Sequence, residues 1–454
     1  DPWFVRVIEA PAAARSTPET APEVREAALA LADRHGMTAS QRAAFVGVLD
    51  NDLQLVWGPP GTGKTHFIAL AVICLMEAHR AADLPFRVLL TACTHTALDN
   101  LLAKVRTLAD EMGVQGLPVA KVGREEHIQA SEAATWASGK PRWVIGSTVW
   151  QVARVAPQEL SFDLVLIDEG SQMKVSEAAI PVRRMASNAR LVVVGDDRQL
   201  PPVVRGAYPE VDGAPLLHRS VLECIRAADG GEDLVAPLLE NWRMNATLCE
   251  YPRTSIYPPA YQPATPQVAS RRLRLDRTPQ SEFGRLVLDP DHPLTICVLE
   301  DVQATAANPV EAALVAEVVG ELRGATDHED DAFWAETCAV VSPHHAHIRL
   351  LRREIVAAQD WASPPVIDTV DRMQGQERDV VIVNYGVADV EYALGEREFI
   401  YSLNRLNVAV TRGRAKAIVF LPRPLLEPPI QALDHPAAAG HRLHAGAGAM
   451  GRVG

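Results

Sequence analysis

The stretch GPPGTGKT, Gly58 to Thr65, constrains this chain most, because it stands between an apolar run, LQLVW, and a long helical stretch. Strand, glycine-rich turn and helix in that order make a phosphate-binding loop. Glycines let the backbone wrap around phosphates with its N–H groups pointing inward, and the helix amino terminus adds positive potential there. Gly58, Pro59, Pro60, Gly61, Thr62 and Gly63 would form the cradle. Lys64 would reach the β and γ phosphates, and the Thr65 hydroxyl would hold magnesium. ATP and Mg2+ are therefore the expected cofactors.

Such a loop needs an acidic partner on a neighbouring strand, and FDLVLIDEGSQ supplies Asp168 and Glu169 at the carboxyl end of an apolar run. Asp168 would orient the magnesium shell, while Glu169 would polarise the attacking water as general base. LVVVGDDRQLPP is a further buried strand ending in Gly195, Asp196 and Gln199, with Gln199 placed to sense the γ-phosphate or the lytic water.

Short apolar runs alternate with longer helical stretches twice along the chain, the pattern of parallel-sheet α/β domains. The first half is expected to hold strands at 53–57, 87–91, 143–147, 162–167 and 191–194, with helices at 66–80 and 97–111. The second half is expected to hold strands at 294–299, 338–342, 366–370, 380–384 and 417–421, with helices at 310–322 and 347–357. Five strands per half and 454 residues fit two cores of roughly 150 residues or more each. The join falls near Gly230, in AADGGEDL. The expected division is a lead-in at 1–36, a first domain at 37–235, a second at 236–425 and a disordered tail at 426–454. Residues 251–293, rich in proline and arginine, read as irregular structure.

The order GPPGTGKT, DEGSQ, GDDRQLPP resembles the superfamily 1B helicases, the group containing the eukaryotic RNA-surveillance helicase of nonsense-mediated decay. The resemblance runs from about Met37 to Arg423 and implies two tandem RecA-like domains with ATP between them. It implies that Gln41 reads adenine, that Trp242 of NWRM stacks on it, and that Arg243 reaches phosphate. In DTVDRMQGQERD, Gly375 and Glu377 would approach the nucleotide. In RLNVAVTRGR, Arg412 would be the arginine finger, with Arg405 and Arg414 beside it. Thr94, His95, Thr148, His344 and Thr369 would contact single-stranded DNA or RNA, tracked 5′ to 3′. Gly170 stands where the family often has alanine, Trp242 where tyrosine is commoner, and Gly413 interrupts the usual TRAR string.

Arginines supplied to a bound nucleotide from a second core would couple hydrolysis to relative motion of the cores, the basis of a translocase or helicase. Only about 100 residues separate the loop from DEGSQ, leaving little room for the insertions on which strand separation relies. Translocation is thus better supported than unwinding. An AAA+ ring ATPase would share GPPGTGKT but is not expected to carry GDDRQLPP, QGQE and RLNVAVTRGR. A nucleotide-switched clamp would share every motif and differ only in turnover.

A net charge of −13 argues against a chain basic all over, leaving Arg271, Arg272, Arg274, Arg277 and Arg349, Arg352, Arg353 as local clusters. Neither a membrane span nor a signal peptide is indicated, and six scattered cysteines without a CxxC pair fit a reducing cytoplasm. His344, His345 and His347 lack the carboxylate or cysteine partners of a metal site. The start at Asp1 raises the expectation of an upstream domain, such as a nuclease, joined to a monomeric motor.

Overall fold

The computed structural model describes residues 2–123, 127–155, 159–204, 206, 208, 215, 217–300, 302–426 and 452–453. The chain divides into two compact units, Asp1–Glu240 and Asn241–Gly454.

In the first unit, strands β1 (Leu53–Trp57), β2 (Phe86–Ala92), β3 (Val119–Val122), β4 (Arg142–Thr148), β5 (Phe162–Ile167), β6 (Met185–Gly195) and β7 (Val235–Pro237) form one sheet. Its order is β3-β4-β2-β5-β6-β1-β7, and every pairing is parallel. A parallel sheet must be covered on both faces, which is why its strands read as continuous apolar runs. One face carries helices Pro22–Arg34, Ala39–Asp50, Lys64–Ala81 and His95–Glu111, and the other carries Pro2–Glu9, Val175–Val182 and Val221–Ala227. Helix Lys64–Ala81 buries Phe67 through Met76 without a break, so the helix behind the phosphate loop is itself core.

In the second unit, β8 (Glu240–Asn241), shared with the unit boundary, pairs with β9 (Gln262–Pro263). The main sheet holds β10 (Leu294–Leu299), β11 (Cys338–Val341), β12 (Ile367–Asp368), β13 (Arg378–Val383), β14 (Gly413–Pro422) and β15 (Arg452–Val453). Its order is β12-β11-β13-β14-β10-β15, again all parallel. Helices Pro309–Gly324 and His345–Ala358 share its core with Phe333, Trp334 and Phe420.

The two-fold α/β pattern is therefore present, with seven and six strands rather than five and five. The additional strands β3, β7 and β15 lie toward the sheet edges and are two to four residues long, too short to show a period. Residues 251–293, expected to be irregular, also hold the end of helix Ala246–Ser255 and the short helices Pro266–Ala269 and Glu282–Val287. Prolines explain the misreading: Pro252 interrupts one helix and Pro266 opens another. Of the tail 426–454, Leu426 and β15 are described and the rest lies outside the described residues.

Glu311 ties the second unit together. It lies in the first turn of helix Pro309–Gly324, fully buried, and accepts from the N–H groups of Tyr385 (2.8 Å) and Gly386 (3.0 Å), anchoring the loop after β13. Burial pushes its carboxyl up to about 8, against the pull of those two N–H groups. The folded chain then holds a proton on Glu311 that the unfolded chain releases near 4.5, so this group makes stability fall as pH rises through that window. Glu311→Gln removes the effect. Urea midpoints taken below 4.5 and above 8 are expected to show the variant gaining on the native chain as pH rises; a constant gap would contradict it.

Candidate functional site

The phosphate loop leaves β1 at Trp57 and enters helix Lys64–Ala81 through Gly61 and Gly63, both at φ +75°. That left-handed backbone is open to glycine and strained for other residues, so the turn depends on these two positions. Thr62 Oγ1 donates to Pro59 O (2.8 Å) and Lys64 Nζ to Gly58 O (2.7 Å), bracing the loop from within. A Cβ on Gly58 would lie 2.5 Å from Lys64 Cγ, so only glycine lets the lysine fold across. Thr65 follows in the helix's first turn, half-buried.

Sheet order brings the acidic groups to this loop. β6 pairs with β1, and Gly58 N donates to Gly195 O (3.0 Å). β5 lies on the other side of β6 and is followed at once by Asp168, which is buried. Burial and the adjacent Glu169 carboxylate raise the Asp168 pKa, while Lys64 pulls it back. Glu169 takes φ +52°, a left-handed conformation uncommon outside glycine, with its N–H donating to Asp168 Oδ1 (2.9 Å). Such an outlier costs about 1–3 kcal/mol and is kept only where the surroundings impose it. Gly170 N donates to Val194 O at 2.7 Å, and a Cβ on Gly170 would meet Val193 Cγ1 at 2.5 Å. The departure from alanine at that position is thus a packing requirement of β6.

Gln199 is buried and held by Asp196, its Nε2 donating to Asp196 Oδ2 (2.7 Å). Asp196 also accepts from Trp57 Nε1 (3.1 Å), and the Arg226 guanidinium lies 5.0 Å over the Trp57 ring. Asp196 and Arg226 as organisers were missed, although the acid was visible in GDDRQ. Gln41 sits in a capping box at the start of helix Ala39–Asp50: its Oε1 accepts from Thr38 N (3.1 Å) and its N–H donates to Thr38 Oγ1 (3.3 Å). Glu240 accepts from Thr38 Oγ1 (2.9 Å) and from the Ser40 hydroxyl beside it, a tie the sequence did not suggest.

Three arginines of the second unit gather on one carboxylate. Asn241 Oδ1 accepts from the N–H groups of Arg243 (2.9 Å) and Met244 (3.0 Å), folding NWRM into a turn that leaves Trp242 44% exposed. Arg243 Nε donates to Glu377 Oε2 (2.5 Å) and its Nη1 to Thr411 O (3.0 Å). Arg414 lies 3.8 Å from Glu377 and donates to Asp379 Oδ1 at 2.8 Å. Burial raises the Glu377 pKa, but Arg243, Arg414 and Arg412 outweigh it and hold the carboxyl below its ordinary range. Arg412 is 2% exposed, its Nε donating to Val408 O (2.9 Å). Gly375, at φ +80°, turns the chain into this cluster, and Arg405 pairs with Asp371 (2.6 Å) apart from Glu377.

The expected strand contacts lie at carboxyl ends of strands. Thr94 and His95 follow β2 and Thr148 ends β4, neighbours joined through Ala92 and Thr148. Thr94 Oγ1 caps helix His95–Glu111 by accepting from Ala97 N (3.1 Å), His95 is exposed, and Thr148 is buried. His344 follows β11 and Thr369 follows β12, also neighbours. This places them on the edge opposite the arginine cluster, which stands at the starts of β13 and β14. Burial lowers the His344 pKa, with Glu396 opposing. Among the described residues, no group of three or more metal-ligating side chains is present.

Family comparison matches residues 41–205 to one AAA domain model and residues 217–421 to another. The chain is 26% identical over 403 residues to the DNA replication ATP-dependent helicase/nuclease JHS1 of Arabidopsis thaliana, 84% of this chain and 28% of that protein. It is 25% identical over 416 residues, 85% of this chain, to the DNA replication ATP-dependent helicase/nuclease DNA2 of Xenopus laevis, and 24% over 432 residues, 88% of this chain, to that of Homo sapiens. Those matches span 37% and 38% of the relatives' lengths, so the chain corresponds to well under half of each. A solved helicase, DUF1998 helicase MrfA bound to DNA and AMPPNP, aligns at 10% identity with a TM-score of 0.43 over 90% of this chain and 52% of its own, too distant to bear on function. Two tandem RecA-like domains stand, and the helicase resemblance holds at the level of those domains. These relatives are DNA replication proteins and lend no support to the RNA-surveillance branch specifically.

Gly413, the departure from TRAR, sits where β14 shifts register against β13, between the pairs Arg378–Gly413 and Val380–Lys416. A Cβ there would lie 2.7 Å from Lys416 O and 3.2 Å from Val381 Cγ1. Gly413→Ala is expected to destabilise the chain by about 1–3 kcal/mol by overpacking, read from the denaturant midpoint. An unchanged midpoint would mean that the register shift yields at no cost.

Proposed function

We propose that this chain is an ATP-driven translocase on single-stranded nucleic acid, the motor part of a longer protein. The observation that carries the proposal is the meeting, in one unit, of the braced phosphate loop with the buried Asp168 and the strained Glu169. A carboxylate whose charged form is disfavoured by burial and a neighbouring acid gains from a divalent cation, so the donor set fits magnesium. Thr65 and Asp168 would hold it, and bound there it neutralises charge on the phosphates.

The chain's own residues supply the rest. Glycines of the loop present N–H groups to the phosphates, and Lys64 leaves Gly58 O to reach them. Glu169 takes a proton from the attacking water, with Gln199, clamped by Asp196, orienting it. Gln41 and Trp242 receive adenine, the exposed indole offering its face. By the superfamily 1B resemblance Arg243 and Arg412 supply charge to the transition state, and Glu377 holds Arg243 until phosphate competes for it. Nucleotide-driven exchange of partners at these arginines drives movement along the strand, while Thr94, His95, Thr148, His344 and Thr369 hold it. The relatives, DNA replication helicase/nucleases, favour DNA as the track and a nuclease as the fused neighbour. Polarity 5′ to 3′ follows the superfamily 1B resemblance.

Steady-state ATP turnover is expected to rise on adding single-stranded oligonucleotides, more with DNA than with RNA of matched sequence. Turnover indifferent to both would contradict the proposal. Glu169→Gln is expected to slow turnover about 10²–10⁴-fold while a fluorescent nucleotide still binds. Lys64→Ala is expected to lose nucleotide binding as well, and normal turnover in either variant would refute the assigned role.

A further inference from the structure

The tryptophans of this chain are mostly spent in packing. Trp143 meets Trp136 and Phe162 edge-on, Trp334 and Trp361 pack together with Phe333, and Trp57 lies under Arg226. Trp150 is different. It is 60% exposed, and among the described residues no ring stacks on it and its indole N–H has no bond. It belongs to the turn Val149–Val152, whose other members, Val149, Gln151 and Val152, are buried. Arg184 fixes that turn by donating to Val152 O (3.0 Å). The side chain turned outward is therefore carried on a fixed support.

Its position adds to this. The pairing of Ala92 with Thr148 aligns the ends of β2 and β4, so Thr94, exposed His95 and exposed Thr96 leave the same end of the sheet as the turn that carries Trp150. Arg154, exposed, follows four residues on. A flat apolar face at a sheet end that also presents hydroxyls, an imidazole and a guanidinium suits one occupant: a nucleobase whose sugar and phosphates lie along that end. Bases inside a duplex have both faces covered, so the occupant is a single-stranded one.

We infer that Trp150 is a base-stacking platform for the single strand, at the carboxyl edge of β4. This rests on the nucleic-acid reading above and deepens it, since hydroxyls and imidazoles grip only the backbone. Trp150 instead seats one base per step and tolerates any sequence, because every base has a π-face.

Fluorescence anisotropy of labelled single-stranded oligonucleotides, with the full chain, tests it. Trp150→Ala is expected to weaken binding to a base-bearing strand by roughly 5- to 150-fold, and Trp150→Phe to restore most of it. On a strand with abasic sites throughout, all three proteins are expected to bind alike, a result that a merely structural role for Trp150 would not give. Binding of the base-bearing strand by Trp150→Ala at native strength would overturn the inference and leave the translocase proposal standing. So would an equal loss on the abasic strand. If the native chain binds neither strand, the translocase proposal falls and this inference with it.

Discussion

The structure turns on a carboxylate pair held where water would not choose to put it. Asp168 is buried at the end of β5, and Glu169 takes a left-handed backbone to stand beside it, so two like charges share a site with Lys64 as the nearby cation. Neither the burial nor the strain helps the sheet to fold. Both are sustained by a seven-stranded parallel sheet whose order sets β1, β6 and β5 side by side, which brings the phosphate loop, the Asp196–Gln199 clamp and the acid pair to one edge. Gly170 and Gly195 keep that edge tight: a Cβ on Gly195 would meet Ser171 N at 2.8 Å.

The second unit carries a cluster of the opposite charge. Arg243, Arg414 and Arg412 bear on one carboxylate, Glu377, which bonds Arg243 directly, while Asp379 holds Arg414 and Val408 O holds Arg412. An arginine needs such a partner to be held in place at an apolar core, and a phosphate group offers the same planar, bidentate match. Glu377 is thus a structural counter-ion, and in the proposed motor a phosphate would compete with it for Arg243.

Much of this was legible in the sequence. The expected strands at 53–57, 162–167 and 294–299 have those bounds, because apolar runs closed by glycine, aspartate or proline leave no alternative reading. Edge strands such as Val119–Val122 escaped, since four residues with a lysine among them show no period. Site residues were legible where a motif fixes the backbone, as at Gly61, Gly63 and Gly375, all with positive φ. They were less so where tertiary packing decides. Thr94 caps a helix, a role its residue type also suits, and Gln41 closes a T-x-x-Q capping box, whereas the burial of Arg412 is stated by no motif. The exposure of Trp150 is of the same kind: GSTVWQ reads as a strand end, and only the fold shows which side chain it turns outward.

The central claim is that this chain converts ATP hydrolysis into movement along a strand. Displacement of streptavidin from a biotinylated single strand measures that directly. With ATP, the native chain is expected to strip streptavidin from the 3′ end much faster than from the 5′ end, and Glu169→Gln to strip neither. Stimulated ATP turnover without displacement from either end would contradict the claim and leave a nucleotide-switched clamp.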